Sequence, residues 1–269
     1  MSDATTEGKP FLHLIHANGF PGASYAQLAT LLAARFDVYV VPMLGHDPRF
    51  PVTDGWPHLV EELAESIRAQ HRAPVIGVGH SLGGYLCLLA AARWSELFRA
   101  VIMLDAPLTS PMQESAMRFV KRIGLIDRIT PAHSTRNRRR HFASETEAFL
   151  HFRHKPLFHD FTDASLRDYI KFGMQPAPHG LTLRFDPDIE TQIYRSFPHR
   201  LSQAARTVRC PTALIAGRSS TVVRRAGLGE SRRRLHVIEI EGGHLFPFEH
   251  PRSTAHAIER LCRQWGLLS

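Results

Sequence analysis

Only three cysteines occur in the 269 residues, Cys87, Cys210 and Cys262, far apart and odd in number. They suit a reducing, cytoplasmic setting better than a disulfide framework, and offer no CxxC or Cys/His spacing for a metal. No apolar run approaches the roughly 20 residues of a bilayer-spanning helix, so no membrane span is expected. Met1 to Pro10 is polar and lacks the basic-then-apolar order of a secretory leader. Internal repeats and low-complexity tracts are missing. No residue pattern calls for a metal, nucleotide or flavin, and no cofactor is expected. Acidic residues are the minority charge, 25 against 33 Lys and Arg, for a net charge of +8.

What is present is a globular composition, 43% apolar and 22% charged. Disordered and fibrous classes are thereby excluded, and the length suits one sizeable domain or a core with a large insertion. The basic excess is concentrated mid-chain, where residues 108–207 hold 16 Lys and Arg against 10 Asp and Glu. Its densest run is Arg136, Arg138, Arg139 and Arg140, with a second knot at Arg232, Arg233 and Arg234. Such runs suit an anionic ligand or a solvated helix face. No zinc-finger or RNA-recognition signature accompanies them, so no nucleic-acid partner is expected.

Over the first 107 residues, short apolar runs alternate with helical patterns. Phe11–His16, Val38–Met43, Val75–Gly79 and Ala100–Leu104 read as buried strands. Ser24–Arg35 and Leu59–Gln70 carry apolar residues at helical spacing, and Leu82–Ala92 is apolar nearly all round. The alternation predicts right-handed βαβ units, hence an α/β fold with a mostly parallel, doubly wound sheet. It resumes at Thr212–Ala216 and Leu235–Ile240 and ends in a helix over Thr254–Trp265. Residues 108–207 break the rhythm. They are aromatic, rich in His and Arg, helical in pattern (Glu145–His151, Ser165–Phe172), punctuated by prolines and without a strand-like run. The expected division is a core of 1–107 and 208–269, with 108–207 inserted as a helical cap at the sheet's carboxyl edge.

The sharpest motif is Gly79-His80-Ser81-Leu82-Gly83, followed by Gly84, between a predicted strand and a predicted helix. A GxSxG sequence in that setting is the pattern of a nucleophile elbow, which makes Ser81 the candidate nucleophile. A serine hydroxyl needs a base within hydrogen-bond reach. Among 17 histidines, His244 in Gly242-Gly243-His244 stands out by following the last predicted strand. His80 points away from Ser81 on a tight turn and is assigned to packing. His250 and His256 fall in or near the terminal helix and read as surface or core residues.

The segments His16-Ala17-Asn18-Gly19-Phe20-Pro21-Gly22, Gly79–Gly84 and Gly242-Gly243-His244 together resemble the α/β-hydrolase superfamily, in its capped serine-esterase branch. The likeness covers about residues 11–107 and 208–265. It implies an oxyanion hole formed by the amides of Phe20 and Leu82, with His16 or Asn18 supporting the loop. Asn18 stands where that family usually has His. Backbone donors of this kind are worth about 3–4 kcal/mol each. Two departures follow. Only ten residues precede Phe11, so the family's leading antiparallel strand pair is expected to be absent or rudimentary. The loop after Thr212–Ala216, where most members carry the triad acid, has no carboxylate, and Ser219 and Ser220 stand in its place.

Asp105, directly after Ala100–Leu104, is the next candidate acid, as some members of the superfamily allow. It could equally be a turn-capping aspartate. Glu241 comes third, and a Ser–His dyad is a further alternative. A Ser81–His244–Asp105 set implies carboxylic ester hydrolysis through an acyl-enzyme, with thioesters and lactones in reach. The alternatives are carbon–carbon hydrolysis or haloperoxidase-type chemistry on the same residues, or a non-hydrolytic ligand-binding protein. Phe142, Phe149, Phe152, Phe158, Phe161 and Phe172 suit an apolar acyl pocket or the insertion's own core. The local positive charge would favour an anionic small-molecule substrate.

Overall fold

The computed structural model describes residues 8–70 and 74–269. In chain order its strands are β1 (Phe11–Ile15), β2 (Asp37–Val40), β3 (Val75–His80), β4 (Phe98–Leu104), β5 (His141–Phe142), β6 (Met174–Ala177), β7 (Gly180–Leu183), β8 (Thr212–Gly217) and β9 (His236–Ile240). Six of them form one parallel sheet in the order β2-β1-β3-β4-β8-β9. The sequence reverses direction across this order between β1 and β3, the point where open α/β sheets present a crevice at their carboxyl ends. No antiparallel strand precedes β1 among the described residues, but residues 1–7 lie outside them, so most of the segment on which that expectation rests is not covered.

Both faces of the sheet are buried because the central strands alternate apolar residues in both directions. Along β4, Ala100, Ile102 and Leu104 join one apolar cluster, with the helices Ala26–Leu32 and Pro251–Gln264. Val101 and Met103 join the other, with the helices Pro57–Gln70 and Leu82–Arg93. The helix Leu82–Arg93 buries nine of its twelve residues, which explains its almost continuous apolar sequence.

Residues 108–207, between β4 and β8, differ from the purely helical expectation. Several helices are there, including Pro111–Arg122, Glu145–Arg153, Asp163–Gly173 and Pro187–Arg195, but so is a small antiparallel sheet in the order β5-β7-β6. Its strands are two to four residues long, and β6 contains Pro176, a residue that reads as a strand breaker. Pro176 is tolerated because β6 is an edge strand, where a missing N–H need not interrupt a ladder. The turn back into β7 depends on Gly180, at φ 121°, where a Cβ would sit 2.2 Å from the Phe142 carbonyl oxygen.

Candidate active site

The carboxyl edge of the large sheet gathers three of the sequence candidates. β3 and β4 run in register with His80 opposite Leu104, so the residues that follow, Ser81 and Asp105, leave neighbouring strands side by side. Ser81 donates its N–H to the Leu104 carbonyl (2.9 Å), and Asp105 donates its N–H to the Ile215 carbonyl of β8 (2.8 Å). Both adopt positive φ, 49° at Ser81 and 46° at Asp105, a strained geometry for side chains that costs of order 1–3 kcal/mol each. The glycines of the motif make the turn possible by close approach. A Cβ on Gly79 would lie 2.2 Å from the Gly83 carbonyl carbon, and one on Gly83 would lie 2.5 Å from the Ile15 carbonyl oxygen.

Asp105 is fully buried, and each of its contacts is with a donor. Its Oδ1 accepts the Gly217 N–H at 2.8 Å, while Oδ2 accepts the Ser220 hydroxyl at 2.5 Å and His244 Nδ1 at 2.7 Å. Because the carboxylate accepts, Nδ1 of His244 carries the proton, and in the neutral ring Nε2 keeps its lone pair. Ser220 thus stands where the family resemblance places an acid, and it donates to Asp105, which follows the neighbouring strand β4. It also accepts the Val223 N–H at 3.2 Å, capping the helix Thr221–Ala226. That double duty explains a nearly buried serine whose role has no signature in the sequence. Glu241 does not join this set. It is exposed and pairs with Arg218.

The loop that carries His244 is shaped by its glycines and by Glu249. Gly243 donates its N–H to Glu249 Oε2 at 2.6 Å, and Gly242 takes φ 114°. Burial raises the Glu249 pKa above the usual carboxylate range, against the lowering effect of that hydrogen bond. His250 and His256 are exposed.

On the other side lies the loop after β1. His16 is fully buried and donates from Nδ1 to the Ala17 carbonyl (2.9 Å) while Nε2 accepts the Leu44 N–H (2.8 Å). Burial lowers its pKa to about 4, so the neutral ring that both bonds require persists at neutral pH. Asn18 donates to the Glu190 carbonyl at 3.0 Å, and the Glu190 carboxyl sits against Gly19, where φ is 80°. The Phe20 N–H donates to the Ala17 carbonyl at 3.1 Å, closing this turn. Leu82 opens the helix after Ser81, a position whose N–H has no acceptor within the helix.

His80 is more than the packing residue expected. Its ring is fully buried and hydrogen-bonded at both nitrogens, to the Tyr25 hydroxyl (2.7 Å) and to the His244 carbonyl (2.8 Å). The aromatics of residues 108–207 largely form a core. Phe142, Phe152, Phe158 and Phe161 are buried, and Phe20 packs against Phe158, Phe161, Tyr169 and Phe248. Phe149 lies under the guanidinium groups of Arg153 and Arg167, and Phe172 under the Lys171 ammonium. Three arginines of the dense run are spent on ion pairs, Arg138 with Glu190, Arg139 with Glu147 and Arg140 with Asp188. The second knot pairs likewise, Arg232 with Glu239, and Arg233 and Arg234 with Glu230. Among the described residues no group of three or more His, Cys, Asp or Glu could hold a metal ion, and no helix is long and apolar enough to cross a membrane.

A sequence model of the alpha/beta hydrolase family matches residues 14–257. The chain belongs to this family. Two characterised relatives are each 26% identical to it. One is the 2-(acetamidomethylene)succinate hydrolase of Mesorhizobium japonicum, aligned over 92% of this chain and 85% of that protein. The other is the pimeloyl-[acyl-carrier protein] methyl ester esterase of Xanthomonas oryzae pv. oryzae, aligned over 93% and 94%. Among solved structures, E-2-(acetamidomethylene)succinate hydrolase superimposes with a TM-score of 0.77 at 23% identity, covering 95% of this chain and 92% of the other. The thioesterase domain from the curacin biosynthetic pathway superimposes with a TM-score of 0.72 at 20% identity, covering 93% and 90%. These likenesses establish the alpha/beta hydrolase fold with a six-stranded parallel sheet, and the relatives are hydrolases.

Proposed function

We propose that the protein is a serine hydrolase that cleaves a carboxylic ester, with thioesters and lactones open to the same chemistry. The observation that carries the reading is the Asp105–His244 hydrogen bond beside the strained Ser81 turn, because it leaves His244 Nε2 as the basic nitrogen. Ser81 Oγ attacks the substrate carbonyl while His244 takes its proton, and Asp105 holds the imidazole in the required tautomer. The amides of Phe20 and Leu82 receive the oxyanion. For Phe20 this means sharing or releasing the bond its N–H now makes to the Ala17 carbonyl. Collapse of the tetrahedral species expels the alcohol, with its proton supplied by His244. Water, deprotonated by the same histidine, then frees the acid.

In this reading residues 108–207 act as a cap over the pocket and meet the oxyanion loop through Asn18, Gly19 and Glu190. The substrate is a small ester, and Arg138, Arg139 and Arg140 do not themselves mark it as strongly anionic, since each is paired with a neighbouring carboxylate. The names of the two relatives, one acting on a succinate derivative and one on a methyl ester, support hydrolysis without fixing the bond. A panel of p-nitrophenyl esters and thioesters tests the proposal. Turnover with burst kinetics that vanishes in Ser81→Ala and His244→Asn is expected. Turnover that survives Ser81→Ala would overturn it.

A further inference from the structure

We propose that Tyr25 and His80 are positioning residues that tie the oxyanion loop to the backbone of His244, so that the two halves of the catalytic apparatus are set as one unit. The inference rests on the roles given above to Ser81, His244 and Phe20.

The path is continuous. The Ala17 N–H donates to the Tyr25 hydroxyl (3.0 Å), that hydroxyl meets His80 Nδ1 (2.7 Å), and His80 Nε2 meets the His244 carbonyl (2.8 Å). Both ends fix the direction of every bond. An amide N–H can only donate and a carbonyl can only accept, so Nε2 carries the His80 proton and Nδ1 accepts from the hydroxyl. Tyr25 and His80 are 1% and 0% exposed, so no water competes for these atoms. Burial holds the His80 pKa well below its ordinary value and pushes the Tyr25 pKa up, so neither ring ionises near neutral pH and the chain keeps its direction.

Geometry gives the chain its use. The Ala17 carbonyl receives both His16 Nδ1–H and the Phe20 N–H, so the setting of Ala17 determines where the Phe20 amide lies. At the other end the His80 and His244 rings lie 5.2 Å apart. A neutral His80 there adds no repulsion when His244 takes up a proton. A residue needed only for packing at the end of β3 requires no polar atom. Here a buried ring commits one nitrogen to Tyr25, which holds the loop after β1 through Ala17, and the other to the backbone of His244.

The test uses the whole protein, a fluorophosphonate as probe of Ser81 reactivity, and p-nitrophenyl acetate for kcat and KM. His80→Leu is expected to slow labelling and kcat by about 10- to 100-fold, with KM within about twofold and an unchanged circular dichroism spectrum. Tyr25→Phe removes a single oxygen and is expected to cost about tenfold. The double variant should be little worse than His80→Leu, since both sit in one chain. His80→Gln, whose amide offers one donor and one acceptor, should recover most of the loss. A folded His80→Leu or Tyr25→Phe that labels at the wild-type rate overturns the proposal, as do losses that multiply in the double variant. If His80→Leu does not fold, Tyr25→Phe decides alone. Imidazole 15N spectra of the wild type read the bonds independently of activity, and a His80 proton on Nδ1 would also overturn it. A wild type that never labels at Ser81 would instead overturn the hydrolase reading.

Discussion

Asp105 is the residue on which most of the site's constraints converge: positive φ, complete burial, and three donors converging on one carboxylate. Removing its charge while keeping its shape should therefore cost function more than fold. Asp105→Asn is expected to lower kcat/KM on p-nitrophenyl acetate by roughly 10⁴, because the amide can present a donor to Nδ1 and invert the His244 tautomer. Ser220→Ala deletes one of the three donors and is expected to cost about tenfold, with His244 still held. Steady-state kinetics of the two variants separates these magnitudes. Ser81 and His244 stand out in the sequence as candidates because GxSxG between strand and helix, and a Gly-Gly-His after the last strand, are local patterns. Asp105 became a candidate because the loop after β8 lacks a carboxylate and the family resemblance allows an acid after β4, while a turn-capping role and Glu241 stayed open in the sequence. The roles of Ser220 and His80 were not legible, since a serine in a loop and a histidine in an elbow carry no local sign of what they meet across 115 or 164 residues.

At the scale of elements, the six parallel strands were legible as short apolar runs, most clearly the central ones, which bury two apolar faces, whereas the edge strands β2 and β9 are only partly buried. The ends were less so: the run Val38–Met43 gives a strand of only Asp37–Val40, because Pro42 has no N–H to lend to a ladder. The insertion's strands escaped because they are very short and one of them contains a proline. The junction of β1 with its loop supplies a prediction on stability. Unfolded, His16 titrates near 6.5, and folded near 4. Between those values the unfolded state binds more protons, so stability is full above about pH 6.5, falls as pH drops towards 4, and levels off below. The loss attributable to this one residue is about 3 kcal/mol. Urea unfolding at pH 7 and pH 4.5 should show a shallower pH dependence for His16→Gln than for the wild type. An equal slope in both would remove His16 from the account.

For the whole molecule, residues 108–207 meet the loop after β1 through Asn18 and Glu190 and share an aromatic core with Phe20 and Phe248. Arg138 donates to Glu190 (2.7 Å) and to the Tyr169 hydroxyl (2.7 Å), and Glu190 in turn lies against Gly19 of the loop after β1. The sequence showed an arginine run but not its partners, which arrive from helices about 50 residues further on for Arg138 and Arg140. Burial makes this pair costly to break from one side. Glu190→Gln is expected to destabilise the protein by about 3 kcal/mol in urea unfolding, and Arg138→Met/Glu190→Met to recover most of that loss. A Glu190→Gln protein as stable as the wild type would show that the pair does not stabilise the insertion. The central claim is that this architecture activates Ser81. The most direct measurement is intact mass after treatment with a fluorophosphonate, on wild type and Ser81→Ala. The account predicts one adduct per wild-type chain, located on the Gly79–Gly84 turn, and none on the variant. Folded wild-type protein that takes up no adduct, or a variant labelled as fast as the wild type, would contradict it.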